Sequence, residues 1–268
     1  MGNLLELHDV CYNYHTLSGE TPALTHINLS VKKGDFVAIV GPSGCGKSTL
    51  LSLIAGLIKP ESGSIQFPEF KYNSDIKPPI GYMLQNDFLL EWRTIYKNVL
   101  LGLEINHKLP NKYFFKKNDK NSPSIYKDID TMLRKYDLLS FKDKKPSELS
   151  GGMRQRAALV RTLSLSPDLL LLDEPFSALD YQTRLSVSSD ICSKIRKENK
   201  TAILVTHDLS EAIRLADIVY VLSKRPGTII KELPIKLTIS PELSISSRNA
   251  PEFPKYFEIL WEALNESK

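Results

Sequence analysis

The chain has 268 residues, of which 42% are hydrophobic and 25% are charged, and its formal net charge is +4. These values are typical of a globular protein with one large domain, alone or with an appendage, and so mild a charge argues against a nucleic-acid partner. Three scattered cysteines exclude a disulfide framework or a zinc site, and no run approaches the roughly 18 apolar residues of a membrane span. The first residues do not form a secretory signal either, so we expect a protein of the reducing cytosol.

The first hundred residues predict a mixture of strands and one early helix. Alternation and short apolar runs predict strands over residues 5–10, 27–31, 36–40, 64–67 and 80–84. Turn-forming residues over 16–22 separate the first two strands, and residues 49–55, apolar nearly all round, predict a buried helix.

The middle of the chain, residues 88–165, has a residue pattern that predicts helices. Within it, residues 106–128 are rich in lysine, asparagine and aromatic residues and contain two prolines, which predicts an irregular surface insertion.

An α/β pattern returns over residues 168–232. Strands are predicted over 169–172, 202–206, 219–222 and 228–230, with a hairpin turn over 225–227 between the last two. The tail that follows is rich in serine and proline, and its aromatic stretch over 253–261 predicts a docking helix.

Residues 41–49, Gly-Pro-Ser-Gly-Cys-Gly-Lys-Ser-Thr, match the complete pattern of a phosphate-binding loop. Its glycines allow successive backbone amides to point into one concavity, and Lys47 would reach the β- and γ-phosphates while Ser48 binds Mg²⁺. The alternative is a glycine turn that happens to precede a lysine, but the predicted strand before it and helix after it favour the loop. The predicted ATP-binding residues here are Gly41, Pro42, Ser43, Gly44, Cys45, Gly46, Lys47, Ser48 and Thr49.

A run of four leucines ends in Asp173 and Glu174. Acids at the carboxyl end of a buried strand lie where α/β proteins bind ligands, so Asp173 would hold Mg²⁺ through water. Glu174 would then orient or deprotonate an attacking water. Such a pattern is weak alone and strong beside a phosphate loop.

The segment Leu-Ser-Gly-Gly-Met-Arg-Gln over residues 149–155 predicts a second anion site. Ser150 is a good N-cap, Gly151 and Gly152 leave backbone amides open, and residues 153–165 are predicted to form a helix. Taken alone, an ordinary capped helix after a turn explains this segment equally well.

The ordered set of motifs over residues 4–232 closely resembles the ATP-binding cassette (ABC) ATPases. The residues that carry the resemblance are Tyr14, the loop at 41–49, Gln85, the segment at 149–155, Asp173-Glu174, Ser-Ala-Leu-Asp at 177–180 and His207. It implies an α/β fold: a P-loop NTPase core with a parallel sheet, an N-terminal antiparallel β subdomain, an inserted helical subdomain and a tail over 233–268.

The resemblance also implies a head-to-tail homodimer that sandwiches ATP and Mg²⁺. Ser150, Gly151 and Gly152 would contact the γ-phosphate bound by the partner protomer, and Asp180 would bridge the two protomers. Tyr14 would stack on the adenine, although a strand-edge tyrosine is the alternative and Tyr12 is a near rival.

Two further roles follow from the same resemblance. Gln85 would contact Mg²⁺ or water and couple the site to a partner, and His207 would contact the γ-phosphate. The implied catalytic residues are therefore Glu174, His207 and Lys47, and the implied metal ligands are Ser48, Gln85 and Asp173.

A finer resemblance points to the ATPases of nitrate, sulfonate and taurine importers. It rests on residues 85–102, on Arg-Pro-Gly-Thr-Ile at 225–229 and on the tail at 253–264. The chain departs from that pattern at Glu91, where proline is usual, and in the insertion at 106–128. The implied partners are integral membrane permease subunits and a solute-binding protein, with the chain peripheral on the cytoplasmic face of the cell membrane.

Two alternatives stay open from the sequence. One is a soluble ABC ATPase that is not coupled to transport, and the other is a nucleotide-regulated binding module without turnover, against which Glu174 and His207 argue. Trp92, next to the expected sensor Gln85, is either an anchor for a partner helix or a core residue of the helical subdomain.

Overall fold

The computed structural model describes residues 2–17, 19–68, 78–106, 124–239 and 249–266. The chain divides into two compact units. The first unit takes in the described residues of 1–82, 168–174 and 182–268, and the second takes in those of 83–167 and 175–181.

A three-stranded antiparallel sheet forms the N-terminal part of the first unit. Its strands are β1 (Asn3–Thr16), β2 (Gly19–Lys32) and β4 (Ser62–Gln66), in the order β2-β1-β4. The turn predicted over residues 16–22 is wrong for most of its length, because β2 begins at Gly19 and Thr21 already pairs with Tyr14. Continuous pairing with β1 satisfies these backbone groups, so the ladder overrides the local turn preference.

The main sheet of the first unit has six strands. They are β5 (Ile80–Met83, whose last residue belongs to the second unit), β6 (Leu169–Asp173), β7 (Thr201–Val205), β3 (Phe36–Val40), β8 (Ile218–Leu222) and β9 (Ile229–Pro234), in that spatial order. Strands β6, β7, β3 and β8 are parallel, and β9 pairs antiparallel with β8. The predicted parallel core and N-terminal antiparallel sheet are both confirmed.

Burial explains why the central strands were recognisable. Every residue of β3, β6 and β7 is buried, as continuous apolar runs require. One apolar cluster joins these strands to the antiparallel sheet and to the helix after β3. The carboxyl ends of β3, β6 and β7 therefore present their following residues from a rigid base.

The helices of the first unit are α1 (Lys47–Ala55), α5 (Tyr181–Lys197, all but its first residue), α6 (Leu209–Leu215) and α7 (Phe253–Glu266). Helix α1 ends at Gly56, which has φ 75° and adopts the left-handed conformation that favours glycine. Helix α7 corresponds to the predicted docking helix. It packs on α6 and β8 of its own chain, and Leu260 and Ala263 are buried.

The second unit is helical. It contains α2 (Ile95–Ile105), α3 (Ser124–Lys135), α4 (Gly151–Leu163) and short 3-10 turns at Leu139–Phe141 and Pro146–Glu148. Within the described ranges, no helix is long and apolar enough to cross a membrane.

The insertion predicted over residues 106–128 falls mostly on residues 107–123, which lie outside the described residues. Its last part was wrongly predicted to be irregular, because residues 124–128 begin α3. Ile125, Ile129 and Leu133 recur at every fourth position, and the last two are buried, so this segment completes a helix with one apolar face.

Candidate functional site

The phosphate loop, residues 41–49, connects β3 to α1. Gly44 and Gly46 have φ values of 77° and 108°, which other residues rarely adopt. The Lys47 ammonium is buried and donates hydrogen bonds of 2.8 Å to the carbonyl oxygens of Gly41 and Pro42. The backbone of the loop thus encloses the lysine ammonium.

The Asp173 carboxyl lies at the end of β6, is 3% exposed and is hydrogen-bonded by Ser48. Burial raises the pKa of Asp173 above its ordinary value. The Ser48 hydrogen bond opposes this shift, the Glu174 charge adds to it, and the Lys47 charge opposes it. A hydroxyl and a carboxylate are hard oxygen ligands that suit Mg²⁺.

The described residues contain no group of three or more His, Cys, Asp or Glu side chains that could hold a metal ion. In a nucleotide site, Mg²⁺ usually takes one or two protein ligands and completes its shell with phosphate oxygens and waters. Ser48 and Asp173 therefore fit the predicted role of metal ligands.

Glu174 has a φ of 46°, an uncommon value for a residue with a side chain. Its amide donates to the Val205 carbonyl at 2.9 Å, which fixes this backbone against β7. His207 follows β7, and its Nδ1 lies 3.2 Å from Glu174 Oε1. The structure thus brings Glu174 and His207, two of the three predicted catalytic side chains, together, and the uncommon backbone angle at Glu174 is of the kind that clusters at active sites.

Of the two tyrosines weighed for adenine stacking, Tyr14 is the exposed one. Its ring is 41% exposed, whereas Tyr12 is half-buried and packs against the apolar core. The Tyr14 hydroxyl lies 2.8 Å from Thr49 Oγ1 at the end of the phosphate loop, and Tyr12 packs edge-on at 5.1 Å between ring centroids. This geometry favours Tyr14, and its role stays a prediction.

The second unit holds the other predicted site residues: Gln85, Ser150, Gly151, Gly152 and Asp180. Gln85, Ser150 and Asp180 are exposed. Ser150 is the N-cap of α4, and its Oγ accepts from the Met153 amide at 3.4 Å. The helix begins at Gly151, two residues before the predicted start.

The two glycines at the start of α4 differ in surroundings. A Cβ on Gly152 would approach Leu179 at 3.3 Å, whereas no described atom would lie within 4 Å of a Cβ on Gly151. Packing within the described chain does not require glycine at position 151. The open backbone at Gly151 leaves room for a molecule outside the chain to approach closely. An ordinary helix capped by Ser150 would have the same geometry.

Sequence reasoning missed the residues that brace the segment after Gln85. Arg154 makes a two-point contact with Asp87, at 2.9 and 3.1 Å, and a 2.7 Å ion pair with Glu91. Asn98 is fully buried and exchanges two hydrogen bonds with the backbone of Leu90, at 2.8 and 3.1 Å. Asn98, a polar residue within the apolar pattern of α2, was the sequence feature that could have indicated these contacts.

The Asp87–Arg154 pair predicts an acid-sensitive contribution to stability. Burial opposes ionisation of Asp87, but hydrogen bonds from Arg154 and the Leu89 amide outweigh it and lower the pKa below 3.8. As the pH falls, the Asp87 carboxylate is therefore protonated in the unfolded chain before it is protonated in the folded chain. The stabilisation is complete above about pH 4, and it is lost as the pH falls through the lower pKa of the folded state.

We expect Asp87→Asn to lower the stability of the second unit at pH 7 by about 1.5–3 kcal/mol, the range for hydrogen bonds to charged groups. Thermal melting between pH 2.5 and 7 measures this, and the difference from the parent protein should shrink at the acidic end. Asp137→Asn is the control, because Asp137 is an exposed partner of Arg156. Equal losses for both variants would contradict the assignment.

Comparison with known proteins gives consistent matches. The family model described as ABC transporter matches residues 24–177. The chain is 41% identical to the uncharacterized ABC transporter ATP-binding protein YtlC of Bacillus subtilis (strain 168), over 98% of this chain and 96% of that protein. It is 38% identical to the nitrate import ATP-binding protein NrtD of Synechocystis sp. (strain ATCC 27184 / PCC 6803 / Kazusa), over 94% and 91% respectively.

A solved structure has the same fold. The dimeric post-hydrolysis state of the ATP-binding cassette MJ0796 bound to ADP and Pi matches with a TM-score of 0.73 at 28% identity, over 87% of this chain and 99% of that one. The family match at residues 24–177 includes the phosphate loop, the segment at 149–155 and Asp173-Glu174, whereas Tyr14, Asp180 and His207 lie outside it.

Proposed function

Because this chain belongs to the ABC transporter family and is an ATP-binding cassette ATPase, we propose that it is the ATP-hydrolysing subunit of an importer for a small solute. NrtD, a nitrate import protein by name, aligns over nearly the whole of both chains. The solute is proposed to be nitrate, a sulfonate, taurine or a related small molecule. The observation that supports coupling to a membrane partner is the exposed segment after Gln85, whose residues are held in place by Arg154 and Asn98.

ATP binding is proposed to centre on the phosphate loop. Lys47 exchanges the carbonyl oxygens of Gly41 and Pro42 for β- and γ-phosphate oxygens, which are stronger acceptors because they are charged. Mg²⁺, when bound, neutralises charge on the same phosphates. Ser48 and Asp173 hold the ion, and Gln85 is the proposed third ligand.

Hydrolysis is proposed to use the pair formed by Glu174 and His207. The Glu174 carboxylate orients the attacking water and takes its proton, which places the negative charge of hydroxide in line with the γ-phosphate. His207 lies 3.2 Å from Glu174 and is proposed to contact the γ-phosphate. Tyr14 stacks on the adenine and so places the nucleotide along the loop.

A second copy of the chain is proposed to complete the site. Ser150, Gly151 and Gly152 contact the γ-phosphate held by the partner protomer, and Asp180 bridges the protomers. The open backbone at Gly151 and the exposed N-terminus of α4 support this role, because unpaired amides at a helix N-terminus bind anions.

The 84–92 segment is the proposed docking surface for a helix of a permease subunit. Leu84, Phe88 and Trp92 are 36%, 58% and 75% exposed, so the alternative that Trp92 is a core residue is wrong. Asn98 holds the backbone of this segment at Leu90, and Arg154 holds the side chains of Asp87 and Glu91, both from within the second unit. Rigid backbone with exposed aromatic side chains is what an anchor for an apolar helix requires.

The same contacts support coupling between docking and catalysis. Arg154 lies two residues after Gly152 in α4, and it binds both Asp87 and Glu91. Movement of the 84–92 segment is therefore transmitted through Arg154 to the start of α4. Glu91, at the position where the importer ATPases usually carry proline, gives this chain an additional ion pair in that link.

Trp92→Ala tests the proposed function. We expect unchanged melting temperature and basal ATPase, but weaker co-purification with membrane subunits and loss of transport-coupled ATPase, since a buried aromatic anchor commonly contributes about 2 kcal/mol or more to binding. Trp261→Ala, at the chain's other tryptophan, is the matched control and should leave co-purification intact.

Other results would favour a different reading. If no integral membrane subunit co-purifies with the wild-type chain from native membranes, the chain is a soluble ABC ATPase without a transport role. If Trp92→Ala lowers the melting temperature markedly, the side chain supports the fold instead of a partner. A peripheral position on the cytoplasmic face, with a solute-binding protein on the other side, follows from the importer proposal.

A further inference from the structure

The turn between β8 and β9, residues 224–228, extends the edge of the three-stranded sheet. The Gly227 amide donates to the Ala23 carbonyl at 2.9 Å, and the Thr25 amide donates to the Gly227 carbonyl at 3.0 Å. Gly227 thus forms a parallel bridge with Leu24 of β2. We call this element the 224–228 turn, and its two backbone hydrogen bonds fix it on β2.

The 224–228 turn also contacts the phosphate loop. A Cβ on Gly227 would lie 2.3 Å from the Cys45 carbonyl oxygen, which is closer than Cβ atoms come to neighbouring atoms in folded proteins. A Cβ on Gly46, which has a φ of 108°, would lie 3.0 Å from the Ala23 carbonyl oxygen of β2. Glycine at both positions therefore lets the turn, β2 and the loop meet at close range.

Arg225 projects from this turn onto the tyrosine proposed to stack on adenine. Its Nε donates to the Pro22 carbonyl at 2.8 Å, and its guanidinium carbon lies over the Tyr14 ring, 5.9 Å from the ring centroid. Pro22 belongs to β2, which pairs with the strand that carries Tyr14. The guanidinium is therefore anchored beside Tyr14 by a strand and a turn that are themselves fixed.

Tyr14 is held by three contacts of different kinds. Its hydroxyl meets Thr49 at 2.8 Å, Tyr12 packs edge-on against it, and Arg225 covers the ring. The ring is nevertheless 41% exposed. A planar guanidinium can donate sideways to a carbonyl and stack on an aromatic face at once, which an ammonium cannot do.

We propose that Arg225 is a positioning residue for nucleotide binding: anchored on the Pro22 carbonyl, it holds the Tyr14 ring in the orientation that stacks on the adenine base. The proposal rests on the proposed function, in which Tyr14 binds the base. It adds the 224–228 turn, which follows the phosphate loop at 41–49 only after most of the chain, as a further element of the nucleotide site.

The test compares a nucleotide with a ligand that lacks the base. The full chain is titrated calorimetrically with AMP-PNP, a non-hydrolysable ATP analogue, and separately with inorganic tripolyphosphate, both with Mg²⁺. We expect Arg225→Ala to weaken AMP-PNP binding about twofold to fivefold, the range for an exposed cation–π contact, and to leave tripolyphosphate binding unchanged. Arg225→Lys keeps the charge without the fork and should give an intermediate loss.

Two further variants make the result specific. Tyr14→Ala should weaken AMP-PNP binding at least as much as Arg225→Ala, and the double variant should lose no more than Tyr14→Ala alone, because Arg225 acts through the ring. Lys224→Ala removes the same charge from the neighbouring exposed residue and should change neither affinity. Arg225 is itself exposed, so its variants should melt at the parent temperature.

The outcomes separate this proposal from the function on which it rests. Unchanged AMP-PNP binding by Arg225→Ala, an equal loss for both ligands, or additive losses in the double variant would each overturn the role of Arg225. A Tyr14→Ala variant that binds AMP-PNP normally would instead overturn the base-stacking assignment, and the inference would fall with it. A chain that binds neither ligand would overturn the nucleotide site itself.

Discussion

Replacing Glu174 with glutamine is expected to leave ATP binding intact and to lower ATP hydrolysis by about a hundredfold or more. Glutamine keeps the size of the side chain and one acceptor oxygen but has no carboxylate to take a proton. Because Glu174 sits on backbone with a φ of 46° and lies 3.2 Å from His207, its geometry is already set before nucleotide binds. The loss should therefore appear in turnover and not in affinity.

The measurement is phosphate release by the purified chain, alongside calorimetric titration with ATP. Glu198→Gln, at an exposed position near the end of α5, is the matched control and should turn over normally. Because hydrolysis is blocked, the Glu174→Gln chain should also accumulate as an ATP-bound dimer. Near-normal turnover by Glu174→Gln would overturn the assignment of the base.

The second large effect is expected from Ser150→Arg, which should abolish ATP-driven dimerisation while leaving nucleotide affinity of the protomer nearly unchanged. The arginine places bulk and positive charge at the open N-terminus of α4, beside Gly151, where we propose that the partner's γ-phosphate is received. The chain's own phosphate loop belongs to the first unit and Ser150 to the second. The substitution therefore leaves the loop itself unaltered.

Sedimentation with ATP in a Glu174→Gln background measures this effect. Ser150 also caps α4, and losing a cap costs about 0.5–2 kcal/mol, so a second variant is needed. Ser150→Ala removes the cap without the bulk and should lower the melting temperature as much as Ser150→Arg while weakening dimers far less. Unimpaired dimers of Ser150→Arg would mean that this helix does not face a partner's nucleotide.

The elements best predicted from sequence were those whose signal is local. Residues 36–40 and 169–172 are strands in the structure because each is a continuous apolar run that only a doubly covered sheet can bury. The phosphate loop was equally recognisable from the sequence, since Gly44 and Gly46 supply backbone angles that the fold needs at those positions. Ser150 was recognised as an N-cap from its own residue type and the glycines after it.

Two segments were predicted wrongly, for different reasons. Residues 19–22 resemble a turn, yet they continue β2 because β1 offers them hydrogen-bond partners. Residues 124–128 were assigned to an irregular insertion, yet they begin α3 because the apolar face completed by Ile129 and Leu133 is buried. For β2 the deciding contact lies outside the window from which a local pattern is read. For α3 the spacing of Ile125, Ile129 and Leu133 was a local signal that the prediction missed.

The sequence by itself determined the family, the phosphate-binding chemistry and the acids at the end of β6, because each depends on residue types at fixed short spacings. Only the tertiary structure decided that Trp92 is exposed, that Asn98 is buried behind its segment, and that Arg225 covers the ring of Tyr14. The physical reason is separation along the chain: Arg225 and its anchor Pro22 are 203 residues apart. No local pattern encodes such a contact, which exists only once the 224–228 turn is seated on β2 and against the phosphate loop.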